Sequence, residues 1–322
     1  MTSIHFAPLV LAGEVNQVSD GVYEVVFVPL DPGMYWVEIV LTFSDAPGFI
    51  DFPVEPRLEP QYEGYMLPEF PIPVSVSQQS LEVRPDRICT GQDLYIKHLF
   101  QGLTVGRWKL ISRDENARTN ESLGIVMDYQ PRVCRLLEET SQLQSIPTKM
   151  HLILVGDSVM GQQATVMREL LPQIRISYVY TGGGLQTCLS HVIAQLSALA
   201  SSAADKERIV LWNSGLHDIM ILYQQMHNST VKNPYKTFRY RQELTELAQF
   251  IHGYPASLKI FQLTTAAWPK WGNWGFRWNK KMQPFCLSTH FVEHYNKIAT
   301  HVLQDYSNQI KVLDAYFMTL SR

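Results

Sequence analysis

No stretch of this sequence reaches the roughly 18 uninterrupted apolar residues that a membrane-spanning helix needs. Charge is scarce too: only 18% of the 322 residues are charged, the formal net charge is -3, and the basic residues are scattered. That leaves no electrostatic footprint for nucleic acid or for an anionic membrane surface. The opening MTSIHFAPLVLAG has no positively charged leader, so it makes a poor signal peptide and leaves the compartment open. The four cysteines, Cys89, Cys134, Cys188 and Cys286, lack the CxxC spacing of a zinc site. Internal repeats and low-complexity tracts are also missing. What the chain does have is 46% hydrophobic residues, enough to bury the core of one large domain and a small one.

Residues 1–86 read as β structure. GVYEVVFVPLDPGMYWVEIVLTF alternates apolar and polar positions on either side of PLDPG, which is the pattern of a hairpin. Proline is then frequent from Pro47 to Pro73, which excludes long helices, and FPIPVSVS can supply a strand only at an edge. The chain before Gly21 is short for a full sandwich.

From about residue 150 the pattern changes. Near-continuous apolar strands are expected at His151–Gly156, Ile174–Tyr180, Arg208–Asn213, Leu258–Thr264 and Gln309–Asp314. Helical periodicity separates them in SVMGQQATVMRELL, LQTCLSHVIAQLSALA, RQELTELAQFIHG and THFVEHYNKIATHVLQDY. Such alternation predicts an α/β domain with a five-stranded parallel sheet covered on both faces, a three-layer sandwich. Ligands bind such sheets at the carboxyl ends of the strands.

Three candidate loops fall at those ends. Gly156-Asp157-Ser158 closes the first strand and opens a helix. A serine there can be an acyl-transfer nucleophile with its amide aimed at a developing oxyanion, or Asp157 or Ser158 can simply cap the helix. YTGGGLQT repeats the strand-to-helix turn with glycines that let a backbone amide near Gly183 approach a ligand, the alternative being a phosphate-binding loop. VLWNSGLHDI ends a third strand at Asn213, whose side-chain amide is either another oxyanion donor or part of an Asx turn.

In this order the three blocks resemble the SGNH/GDSL hydrolase superfamily: Ser158 in GDS, a glycine of TGGG, and Asn213 in NSGLHD. The flanking GRWKLI, YQPRVCRL and LILVGDSVMGQQ are similar to the PC-esterase branch, which includes trichome-birefringence-like polysaccharide O-acetyltransferases and neurexophilin-and-PC-esterase proteins. GVYEVVFVPLDPGMYWVEI resembles filamin-type immunoglobulin-like repeats, and such a domain precedes the esterase in the latter group. The resemblance implies an SGNH-like domain over residues 150–322, a small immunoglobulin-like β-sandwich over 1–86, and a cysteine-containing linker over 87–149 packed on the esterase-like domain. It also implies a serine-dependent acyl-ester hydrolase or O-acetyltransferase acting on an O-acetylated glycan. Ser158 would be the nucleophile, the amides of Ser158 and Gly183 and the side chain of Asn213 would hold the oxyanion, and no metal or other cofactor would be needed.

One block departs from the family. Its Asp-x-x-His, which supplies the general base and its orienting carboxylate, lies beyond the last strand, whereas IKVLDAYFMTLSR delivers that strand and stops. The expectation is a chain truncated at its C-terminus and impaired as a catalyst. His217 and Asp218 are substitutes to be tested, since a histidine is the usual base near neutral pH, and Asp314 reads as structural. The alternative reading is a non-catalytic glycan-binding or adhesion module built on an esterase-like fold.

Four tryptophans fall in AAWPKWGNWGFRWN, where Trp271 and Trp274 with Lys270 and Arg277 would suit a carbohydrate subsite, or the aromatics would pin a loop to the core. The Asn120 and Asn228 sequons fit a glycoprotein of the secretory pathway or cell exterior. In an oxidising lumen Cys89 and Cys134, which flank GRWKLI, would pair, against the alternative of four free thiols.

Overall fold

The computed structural model describes residues 2–6, 9–12, 14–27, 29, 32–43, 62–77, 106–113, 125–131, 149–202, 207–226, 237–265 and 289–316. Its first part is antiparallel β structure: β1 (Thr2–Phe6), β2 (Leu9–Ala12), β3 (Glu14–Ser19), β4 (Val22–Val26), β5 (Gly33–Phe43), β6 (Tyr62–Met66), β7 (Ile72–Val76), β8 (Gly106–Arg113) and β9 (Ile125–Pro131). Seven of these form one sheet in the order β6-β5-β1-β2-β8-β9, with β7 also pairing with β5. Tyr35 and Val37 of β5 are buried against Phe27, Ile39, Phe70, Val74 and Val76. The pairing of β2 with β8 carries this sheet past residue 86.

The hairpin expected across PLDPG forms elsewhere. β4 pairs with β3 through the two-residue loop Asp20-Gly21, while β5 lies in the other sheet. Asp-Gly is a strong signal for a tight hairpin, and here Gly21 supplies the positive φ of the loop, +71°, with a register shift between Gln17 and Ser19 beside it. That local turn prevails over the longer proline-bounded one.

The second part is an α/β domain. Strands β10 (Met150–Gly156), β11 (Arg175–Tyr180), β12 (Glu207–Trp212), β13 (Leu258–Gln262) and β14 (Ile310–Leu313) form an all-parallel sheet in the order β11-β10-β12-β13-β14. Helices α1 (Ser158–Leu170), α2 (Leu185–Ser202), α3 (Leu216–Met226), α4 (Thr237–Gly253) and α5 (Thr289–Gln304) fill the connections.

Alternation along the strands sorts side chains onto two faces. Leu154 and Leu211 point to one side and meet Met160 and Ala164 of α1, one turn apart on that helix. Ile153, Val155, Val210, Trp212 and Phe261 point to the other and meet Val192 and Leu196 of α2, Leu244 and Ile251 of α4, and Val292 and Tyr295 of α5. The Trp212 and Phe261 rings meet edge to face at 4.6 Å. Each fully buried side chain of this size contributes roughly 1.5–3 kcal/mol, so both faces hold the sheet rigid beneath the loops at its carboxyl edge. The strand order reverses at β10, whose neighbours are β11 and β12. Ligand crevices in parallel sheets form beside such a reversal, and the Asp157-Ser158 and Asn213 loops flank it.

Candidate active site at the strand ends

The turn after β10 is built on steric need. A Cβ on Gly156 would lie 2.7 Å from the Met160 Cβ, so only glycine lets α1 start this close to the strand. Asp157 follows with extended backbone and is 4% exposed. Its Oδ1 accepts the Val159 N–H at 2.8 Å, which makes Asp157 the cap of α1.

Ser158 is therefore the first helical residue, and the cap does not use its hydroxyl. Among the described residues nothing accepts its N–H either, as is usual for the first amides of a helix. The turn is braced from β11, where the Tyr178 hydroxyl donates to the Asp157 carbonyl at 2.5 Å and to the Gly156 carbonyl at 3.2 Å. Burial, then the Asp157 carboxylate and Tyr180, push the Tyr178 phenol up to about 12, so it stays a donor at neutral pH.

The turn after β11 needs its glycines as well. Gly183 and Gly184 have φ of +98° and +75°, and a Cβ on Gly184 would lie 2.8 Å from Asp218 Oδ1. The Gly183 N–H points to His217 Nδ1 at 3.4 Å, beyond the usual 2.7–3.2 Å of an N–H hydrogen bond. That contact is weak enough for a ligand oxygen to replace.

Asp218 is 1% exposed, and its carboxylate accepts the Leu185 N–H at 2.8 Å and the Gly215 N–H at 3.2 Å. One anion thus joins the amino ends of α2 and α3, where helix dipoles favour negative charge. The second contact is half of a capping box.

Asn213 ends β12 and is 7% exposed. Its Nδ2 donates to the Gln262 carbonyl at 2.8 Å and to Thr264 Oγ1 at 3.3 Å, so both amide protons point into the next strand end. The Thr264 hydroxyl in turn donates to the Ser214 carbonyl at 3.1 Å. Asn296 of α5 clamps the Thr264 backbone from both sides, accepting its N–H and donating to its carbonyl at 2.9 Å each. The Ser214 hydroxyl meets Tyr240 at 3.2 Å, and burial first, then Asp218, hold the Tyr240 phenol far above its ordinary range.

A small pocket lies between these loops, lined by Asp157, Val159, Asn213, Leu216, Gln262 and Thr264. It brings the ends of β10, β12 and β13 to one place. No family model matches this chain. No curated protein matches it either. A solved crystal structure is similar over 51% of this chain and 82% of its own length, at 12% identity and a TM-score of 0.32, a likeness too low to argue from.

Of the residues read from the sequence, Ser158, Gly183 and Asn213 all stand at the carboxyl edge of the sheet. Trp271, Trp274, Arg277 and Lys270 lie outside the described residues, as do Cys89, Cys134 and Cys286 and the Asn120 and Asn228 sequons. Cys188 is a buried free thiol that donates to the Gly184 carbonyl at 2.9 Å. Among the described residues no three His, Cys, Asp or Glu side chains converge as metal ligands, and no helix is long and apolar enough to cross a membrane. Tyr178, Thr264 and Asn296 carry no motif in the sequence. Their contacts come from residues more than 20 positions away.

Proposed function

We propose that the strand-end site is that of a serine acyl-ester hydrolase or O-acetyltransferase acting on O-acetylated glycans, of the SGNH/PC-esterase type. In this reading residues 150–322 form an SGNH-like domain, a small filamin-type β-sandwich precedes it, and the protein works in the secretory pathway or outside the cell. One observation carries the reading: Asp157 takes over the capping role, and among the described residues nothing engages the hydroxyl or the N–H of Ser158 at the helix start.

The reaction follows from that placement. Ser158 Oγ attacks the acyl carbonyl carbon and gives its proton to a base, while the carbonyl oxygen becomes an oxyanion held by the Ser158 amide and, once His217 yields, the Gly183 amide. The bond from the acyl carbon to the sugar oxygen then breaks, and that oxygen takes a proton. Water attacking the acyl-serine gives hydrolysis, and a second sugar hydroxyl gives transfer.

Asn213 favours the second reading, a glycan-binding module without turnover. A side chain whose donors are held at 2.8 Å and 3.3 Å within the protein is not an available oxyanion donor until those bonds open. A fluorophosphonate probe separates the two. The acyl-ester reading expects adduct formation that Ser158→Ala abolishes, and dependence of its rate on His217 would make His217 the base. No labelling, with binding of an acetylated oligosaccharide retained, would leave the binding module.

A further inference from the structure

We infer that Tyr180 is an aromatic platform for a sugar ring, stacking on the apolar C–H face of a pyranose at the mouth of the strand-end site. The inference rests on the acyl-ester reading for what lies beside that sugar. Tyr180 is the last residue of β11 and is 52% exposed, between Val179 at 1% and Thr181 at 4%. Its ring is held in place: a Cβ on Gly182 would lie 2.1 Å from two of the ring carbons, so the phenol rests against bare backbone that any other residue would cover.

Its neighbours fix its position beside the Ser158 turn, on the strand next to β10. Tyr180 shares a sheet face with Tyr178, two residues earlier, and the two ring centroids are 6.2 Å apart. The Tyr178 hydroxyl touches the Asp157 carbonyl next to Ser158, and Gly182 adjoins Gly183. Tyr180 pairs with Gly156, two residues before Ser158, and its ring leans on Gly182, next to Gly183, so it adjoins both turns proposed to handle the acyl group. A ring already fixed by backbone contact loses little freedom on binding, and its flat apolar face with a polar rim suits an uncharged pyranose.

The test uses the whole chain and two acetyl esters, methyl tetra-O-acetyl-glucopyranoside and ethyl acetate, with acetate release followed by titration and sugar binding by ligand-observed NMR. Tyr180→Ala is expected to weaken sugar binding and its kcat/KM roughly five- to tenfold while ethyl acetate turnover stays within about twofold. Tyr180→Phe, which keeps the face and loses the hydroxyl, should match the unaltered protein. If Tyr180→Ala does not fold, Tyr180→Leu keeps the bulk without the ring and should show the same loss. Equal losses on both esters, a Tyr180→Phe defect as large as that of Tyr180→Ala, or no detectable sugar binding would overturn the platform. Ring-dependent sugar binding with neither ester turned over would instead uphold the platform and refute the acyl-ester reading.

Discussion

Exchanging Asp157 and Ser158 one at a time separates the two roles available at the start of α1. Asp157 is buried and its Oδ1 accepts the Val159 N–H at 2.8 Å. Loss of an N-cap side chain costs about 1 kcal/mol, within a range of roughly 0.5–2, and loss of a negative charge at a helix start adds about 0.3–1 kcal/mol. Asp157→Ala should therefore destabilise the α/β domain by about 1.5–2.5 kcal/mol. At about 2–4 °C per kcal/mol for a domain of this size, the melting temperature falls by roughly 3–10 °C. Asp157→Asn keeps a capping oxygen and loses only the charge, so its deficit should be less than half as large. Ser158 sits inside the cap and contributes no capping bond, so Ser158→Ala should stay within about 0.5 kcal/mol while eliminating the fluorophosphonate adduct. Calorimetry and mass spectrometry of the same preparations read both quantities. A Ser158→Ala loss as large as that of Asp157→Ala would refute the division of labour.

Three further expectations follow from the same geometry. Gly184→Ala must place a Cβ at φ +75° and 2.8 Å from Asp218 Oδ1, for about 2–4 kcal/mol, whereas Gly21→Ala at φ +71° meets nothing within 4 Å and should cost about 1–2; equal losses in chemical denaturation would contradict the packing argument. Asn213→Ala strips the Gln262 carbonyl and Thr264 hydroxyl of their donor and should cost about 1–3 kcal/mol, while an unchanged melting temperature with turnover reduced 100-fold or more would restore Asn213 as an oxyanion donor. Burial, then Asp218 and Glu243, push the Cys188 thiol from its ordinary 9.0 up to about 12, so between those values the folded chain holds a proton that the unfolded chain releases, and stability must fall as pH rises through that window. Native Cys188 should resist iodoacetamide at pH 8 and react once the chain is unfolded, and Cys188→Ala should flatten the alkaline loss of melting temperature.

The five parallel strands were legible because a fully buried strand has to be apolar nearly throughout. Their expected limits differ from the observed ones by one or two residues, as at Arg208–Asn213 against Glu207–Trp212. Strand order was not legible, since apolar runs do not encode their neighbours, and α3 was missed although LHDIMILYQQM is helical. The site was legible as a set of strand ends but not as a set of contacts. Asp157 and Ser158 are equally good caps in one dimension, and the turn of the chain alone decides that Asp157 reaches Val159. The Nδ2 contacts of Asn213 depend on residues about fifty positions later, beyond any local pattern.

The position of β10 bears on how the chain is made. It is the first strand of the parallel sheet to leave the ribosome, yet one of its two partners, β12, is complete only some fifty residues later. At roughly 5–20 residues per second of synthesis, one edge of this very apolar strand stays unpaired for about 3–10 s even after β11 has docked on the other. An open apolar edge of that kind invites pairing with other chains. The nascent protein accordingly has its greatest need of chaperone cover between the emergence of α1 and that of Trp212, and slowing translation across α2 would lengthen that window and lower the soluble yield.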